Sequence, residues 1–112
     1  MAEITYDDFR KVDIRVGTII DVQVFPKARN PSWKVWVDFG PEIGIKKSSA
    51  QIVTNYPRDD LMGRQVAAAV NFPPRQIADF MSEVLILGFP DDDGEVVLIG
   101  PGRPVPDGGR LY

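Results

Sequence analysis

The segment Val12–Phe25 constrains the fold more tightly than any other stretch of this chain. Val12, Ile14 and Val16 alternate with Asp13, Arg15 and Gly17, and after Thr18–Ile20 the residues Val22 and Val24 resume the same parity. That spacing is a strand, and a long one. Gly17 sits inside it, and a glycine in mid-strand marks a bulge or a sharp bend, as at a barrel corner. A long strand that bends can serve both halves of a small barrel. Pro26 ends it, and the basic, proline-punctuated loop PKARNPS follows.

The remaining pattern fits such a barrel. Trp33–Phe39 places Trp33, Val35, Val37 and Phe39 on one face and Lys34, Trp36 and Asp38 on the other. Ile45–Thr54 reads as a third strand. Residues 55–65 fit a short helix or turn after Pro57. Val66–Val70 and Glu83–Phe89 supply strands four and five, and Glu95–Ile99 a sixth after the acidic turn DDDG. Three strands, a helical connection and two strands predict an all-β, five-stranded Greek-key barrel, the OB-fold. At 112 residues the chain is one domain, spanning residues 1–112. Residues 4–11 predict one helical turn capped by Thr5 and Asp8 and docked through Ile4, Tyr6 and Phe9. The tail PGRPVPDGGRLY is too rich in proline and glycine for regular structure, yet ends in Leu111 and Tyr112, apolar enough to dock.

Composition removes whole classes of chemistry. There is no cysteine, hence no disulfide, thiolate site or cysteine nucleophile. There is no histidine, the commonest general base and metal ligand. The expectation is a non-enzymatic protein without metal or cofactor. No apolar run approaches the ~20 residues that span a bilayer, and charges run through the first 25 residues. A cytoplasmic protein with no membrane insertion is expected. The net charge is −3, but residues 1–64 hold ten lysines and arginines against nine acids, and residues 65–112 three against seven. A local basic face is compatible with that balance. A strong non-specific polyelectrolyte binder is not.

Several residues are candidates for binding. Lys46 and Ser48 share one strand face, Lys47 and Ser49 the other; a lysine beside a hydroxyl suits a phosphate, and a solvated strand start is the alternative. In NFPPRQIADFMSEVLILG (residues 71–88), two prolines stiffen the chain ahead of Arg75, which can clamp a phosphate or pair with Asp79. Asn71 and Ser82 flank it with neutral donors. Trp36 has outward parity, and can stack a base, grip a peptide or pack under a loop or subunit. Phe72, Ile77, Phe80 and Met81 cannot all fit inside a small barrel, which marks a peptide-binding or dimer surface. Asp91–Asp93 followed by Gly94 is a solvated hairpin turn rather than a calcium loop.

KVDIRVGTI at 11–19, DFG at 38–40, KKSSAQIV at 46–53, VNFPPRQIADFMSEVLILGF at 70–89 and VPDGGRLY at 105–112 resemble the CsaA family of export-related chaperones. That family is similar to the wider tRNA-binding domain family, which includes the C-terminal module of many methionyl-tRNA synthetases. The resemblance implies an OB-fold core and a homodimer built partly by residues 1–11 and 100–112, with Phe9, Leu111 and Tyr112 in the interface. It also implies binding of tRNA and of unfolded or export-bound polypeptide. On that footing Lys46, Lys47, Ser48, Ser49, Asn71, Arg75 and Ser82 form the expected RNA surface. A dedicated tRNA-binding protein with incidental chaperone activity is the alternative.

Overall fold

The computed structural model describes residues 1–112. In chain order the elements are α1 (Tyr6–Arg10), β1 (Ile14–Val24), β2 (Trp33–Asp38), β3 (Ile45–Ala50), α2 (Arg58–Leu61), β4 (Gln65–Ala69), β5 (Arg75–Ile77), β6 (Phe80–Ser82), β7 (Leu85–Ile86), β8 (Gly88–Pro90) and β9 (Val96–Leu98). Five strands pair antiparallel in the order β3-β2-β1-β4-β7. The sheet curls into a nearly closed barrel, and this is the OB-fold. Val35, Val37 and Phe39 point inward as their alternation predicts, against Ile19, Val22, Val66 and Ala68. Leu61 of α2 joins this core and is fully buried.

The bend in β1 differs from the expected one. Gly17 faces the core in regular register. A Cβ there would lie 2.6 Å from Val37 Cγ1 and 2.7 Å from Phe39 Cδ1, so the glycine makes room for the facing strand. The bulge is three residues on: Ile19 pairs with Val37 but Asp21 with Trp36, which leaves Ile20 as the extra residue. Inward parity therefore switches from Gly17 and Ile19 to Val22. Val24 does not resume the core face and is 68% exposed. The Asp21 carboxylate accepts from Val22 N at 2.9 Å, and Arg58 Nε donates to Val22 O at 2.7 Å. The bulge is thus tied to α2.

The expected fifth strand is also split. Ala68 and Ala69 of β4 pair with Ile86 and Leu85, but the chain leaves the barrel at Gly88. A side chain at Gly88 would collide with Val96 and Val97 of β9, which is why β8 can lie so close to it. Asp91 closes that hairpin by accepting from the backbone N–H of Asp93 and Glu95, and its carboxyl is held low chiefly by Asn55.

The tail docks on β1, whereas α1 buries none of its residues. Ile4 and Tyr6, expected to dock it, are exposed, and the segment is held by Arg110 donating to Arg10 O and Asn71 to Lys11 O. Thr5 and Asp8 form the predicted capping box of α1. Tail residues 108–111 run antiparallel beside the edge of β1 that β2 leaves free. Gly108 N donates to Val16 O and Leu111 N to Ile14 O, both at 2.8 Å. Asp13 ties the pieces together: Arg15 Nε sits 2.6 Å from its carboxylate and Arg110 Nε of the tail 3.6 Å. The Arg15 hydrogen bond, the largest influence, holds the Asp13 carboxyl below the usual carboxylate range. A folded-state pKa below the unfolded value of about 3.9 means a stabilisation present above that pH and lost as pH falls through the folded value. Urea unfolding of wild type and Asp13→Asn should therefore differ at neutral pH and converge in acid. A gap that stays constant across the acid range would contradict this role.

Candidate functional site

The stretch 71–82 is more ordered than its proline content predicts. It forms the β5–β6 hairpin, pairing Arg75 with Ser82 and Ile77 with Phe80, and turns at Ala78 with a positive φ of 50°. The hairpin is fastened to β3 at its base. Glu83 N donates to Lys47 O at 2.8 Å, while Glu83 Oε1 accepts from Lys47 N at 3.1 Å. Ser82 Oγ accepts from Ser49 N at 3.0 Å. Two side-chain oxygens thus satisfy the outward N–H groups of β3, which an unfastened edge would leave to water.

This seam lays Phe80 over the outer face of β2 and β3. Phe80 is buried rather than exposed, and meets Trp36 and Phe25 edge-on with ring centres 5.8 and 5.4 Å apart. Trp36 faces outward, as its parity predicts, but lies half-buried beneath the hairpin. Two ammonium groups converge on the same ring: Lys34 Nζ at 5.3 Å and Lys47 Nζ at 5.1 Å from its centre. Lys34 was missed as a candidate, although it shares the parity of Trp36. At the hairpin tip Asp79 pairs with Lys27 at 3.0 Å, and the Lys27 hydrogen bond is the main cause of its lowered pKa.

That pairing leaves Arg75 without a carboxylate partner; the bridge to Asp79 that stood as the alternative to a binding role does not form. Arg75 instead lines a groove of about 640 Å³ between the hairpin, the end of β3 and β7. Phe72, Ile77, Leu85, Ile86 and Val96 share its wall. Phe72 and Leu85 are each 51% exposed. Leu85 also went unpredicted, because in an apolar run such as VLIL nothing distinguishes the residue that faces out. Met81 lies outside this wall, on the hairpin opposite Gln76.

Other candidates occupy different places. Ser48 points into the barrel, 1% exposed, with its hydroxyl on Ser49 O, so it cannot reach a surface ligand. Ser82 is committed to the seam. Asn71 donates to Lys11 O and accepts from Asp13 N, clasping the segment after α1. Lys46 has the inward parity of Ser48 and lies on the strand beyond it, across from Val37, so it does not share the face of Lys47. Phe9, Leu111 and Tyr112 belong to the two termini, where Leu111 and Tyr112 remain exposed. The structure therefore brings Lys47 to Trp36 and Phe80, and Arg75 to Phe72 and Ile77. It separates both groups from Ser48 and Asn71.

A family described as "Putative tRNA binding domain" matches residues 14–110. The chain belongs to the tRNA-binding domain family. Among solved structures, this tRNA-binding domain is similar to the chaperone CsaA of Bacillus anthracis, at 43% identity and a TM-score of 0.92 over 99% of this chain and 100% of that one. It is also similar to the CsaA chaperone of Picrophilus torridus, at 49% identity and a TM-score of 0.90 over 98% and 100%. A methionine–tRNA ligase of Bacteroides fragilis is 36% identical over 110 residues, which is 98% of this chain and 16% of that protein. The chain thus spans about a sixth of the length of the curated relatives it matches.

In this tRNA-binding domain Phe80 keeps water from Trp36. With Trp33 replaced by Phe, Phe80→Ala should shift the remaining indole emission to the red and cost about 3 kcal/mol in urea unfolding. Unchanged emission would show that Trp36 does not depend on Phe80.

Proposed function

We propose that the chain is a CsaA-like molecular chaperone, non-enzymatic, that binds tRNA and also holds unfolded or export-bound polypeptides. The observation that carries this reading is the groove beside the hairpin. It combines exposed Phe72 and Leu85 with Arg75, an arginine lacking an ion pair that opens β5 directly after two prolines. Burial of such side chains by an extended apolar segment is favourable at roughly 25 cal/mol per Å² and needs no sequence match. A cation at the rim suits a chain that carries acids or a terminal carboxylate. Ser82 and Glu83, which also line the groove, accept from backbone N–H groups of β3 and do not hydrogen-bond each other as a nucleophile and base would.

For tRNA, the reading rests on the family and on Lys34 and Lys47. Two ammonium groups near one phenyl ring concentrate positive charge, which a phosphate would neutralise. Lys46, on the other face of β3, and Arg75, in the groove, add cations outside that face. So few cations imply few phosphate contacts and a shallow dependence of affinity on salt. In the proposed homodimer, exposed Ile4, Tyr6, Leu111 and Tyr112 of the two termini form the contact. A cytoplasmic setting accompanies the proposed tRNA partner. The likeness to methionine–tRNA ligases favours the second reading, a dedicated tRNA binder whose chaperone activity is incidental.

Paired variants decide between them. Replacing Lys34, Lys46 and Lys47 with Ala should weaken tRNA binding at least ten-fold and leave suppression of client aggregation intact. Phe72→Ser with Leu85→Ser should do the reverse. Loss of both activities in either folded variant contradicts two surfaces, and retained suppression in the Ser pair supports the second reading. Sedimentation of the same samples should give the mass of two chains; a single-chain mass contradicts the dimer.

A further inference from the structure

A second concavity lies elsewhere on the barrel and shares no residue with the groove. It has a volume of about 670 Å³ and is walled by Thr18, the turn Gly63–Gln65 and the segment Leu98–Pro104. Its charge is unusual for an acidic protein. Arg64 and Arg103 both line it, and no aspartate or glutamate does. Neither arginine is ion-paired, whereas Arg15, Arg58 and Arg110 all are.

Arg64 is held in place without being neutralised. Its guanidinium lies 5.1 Å from the centre of the Tyr56 ring, and its Nε donates to the Asp60 carbonyl at 3.2 Å. Both Nη groups remain available, which is the half of the fork that grips a phosphate. The segment Gly100–Pro104 of the lining also carries unpartnered backbone donors. In Gly100-Pro101-Gly102-Arg103-Pro104 the N–H groups of Gly100, Gly102 and Arg103 have no partner within the protein. The prolines keep the segment from entering a sheet that would use them. The Asp107 carboxylate accepts hydrogen bonds from two of the lining residues. It is engaged by Thr18 Oγ1 at 2.7 Å and Gln65 Nε2 at 3.0 Å, and stays outside the lining.

We infer that the Arg64–Arg103 concavity is a second phosphate-binding site that takes a backbone phosphodiester of the RNA, apart from the Lys34–Lys47 face. The assignment to RNA rests on the tRNA reading above; the affinity for phosphate does not. A molecule with an overall excess of acids takes a polyanion best where cations outnumber acids, and this concavity is lined by two arginines and no acid. Two separated phosphate contacts also fix the orientation of a bound RNA, which one contact cannot do.

The test has two arms. Inorganic pyrophosphate titrated into the ¹⁵N-labelled chain should produce saturable shifts at the Gly100, Gly102 and Arg103 amides and at Arg64 Nε. Arg103→Ala should abolish them, and that residue makes no internal hydrogen bond or ion pair whose loss would perturb the fold. Titrating tRNA across a range of salt should then show Arg103→Ala, and Arg103→Ala with Arg64→Gln, binding several-fold to ten-fold more weakly. The slope of log affinity against log salt should become shallower by about 0.7–0.9, one phosphate's worth. Shifts that never saturate overturn the site. Saturation by pyrophosphate with unchanged tRNA affinity and slope overturns its assignment to RNA. A wild-type chain that takes pyrophosphate here but binds no tRNA contradicts the functional reading and leaves the phosphate site standing.

Discussion

The outer edge of β3 would be open to water, or to another strand, if Ser82 and Glu83 did not close it. The closure is made partly of side chains: Ser82 Oγ and Glu83 Oε1 take the N–H groups of Ser49 and Lys47. Each of these bonds replaces one to water and nets about 0.5–1.5 kcal/mol, so the pair contributes noticeably in a small barrel. The consequences reach the whole site. Closure fixes the base of the β5–β6 hairpin, the hairpin carries Phe80 onto Trp36 and Phe25, and its other side becomes one wall of the groove.

Charge placement follows from the same geometry. Asp79 at the hairpin tip meets Lys27 from the β1–β2 loop, so it cannot pair with Arg75 four residues before it. Arg75 is left free because a partner close in sequence was claimed by one distant in sequence. Lys34 and Lys47, on adjacent strands, are drawn over one aromatic ring. An exposed cation over a ring gains about 0.5–1 kcal/mol, too little to hold two like charges together if an anion offers more. The basic surface is thus small, preorganised and incompletely neutralised, which suits selective phosphate contacts better than non-specific adhesion.

Much of the barrel was legible in the sequence. Alternation in Trp33–Phe39 assigned the core correctly, the Thr5–Asp8 spacing announced a capping box, and the order of strands and helix led to the OB-fold. The misreadings have physical reasons. The bulge at Ile20 has no residue that marks it, whereas Gly17 looks like a bend but answers a steric demand from Val37 and Phe39 across the sheet. The β5–β6 strands are three residues each, too short for alternation to register. Asn71 and Ser82 offered polar groups that look the same in sequence whether they meet a ligand or the protein's own backbone. Phe80 looked surplus to the core because the second apolar layer, outside the barrel, exists only once the hairpin folds over β2 and β3.

The central claim is that one hairpin separates a cationic aromatic face from an apolar groove, each with its own ligand. Amide and side-chain chemical-shift mapping tests it most directly, with tRNA and a short apolar peptide titrated separately into the same labelled chain. The peptide should perturb Phe72, Ile77, Leu85 and Ile86, and tRNA should perturb Lys34, Trp36 and Lys47, with Arg75 the residue shared between them. Coincident footprints, or a peptide footprint confined to the β8–β9 hairpin, would contradict the account.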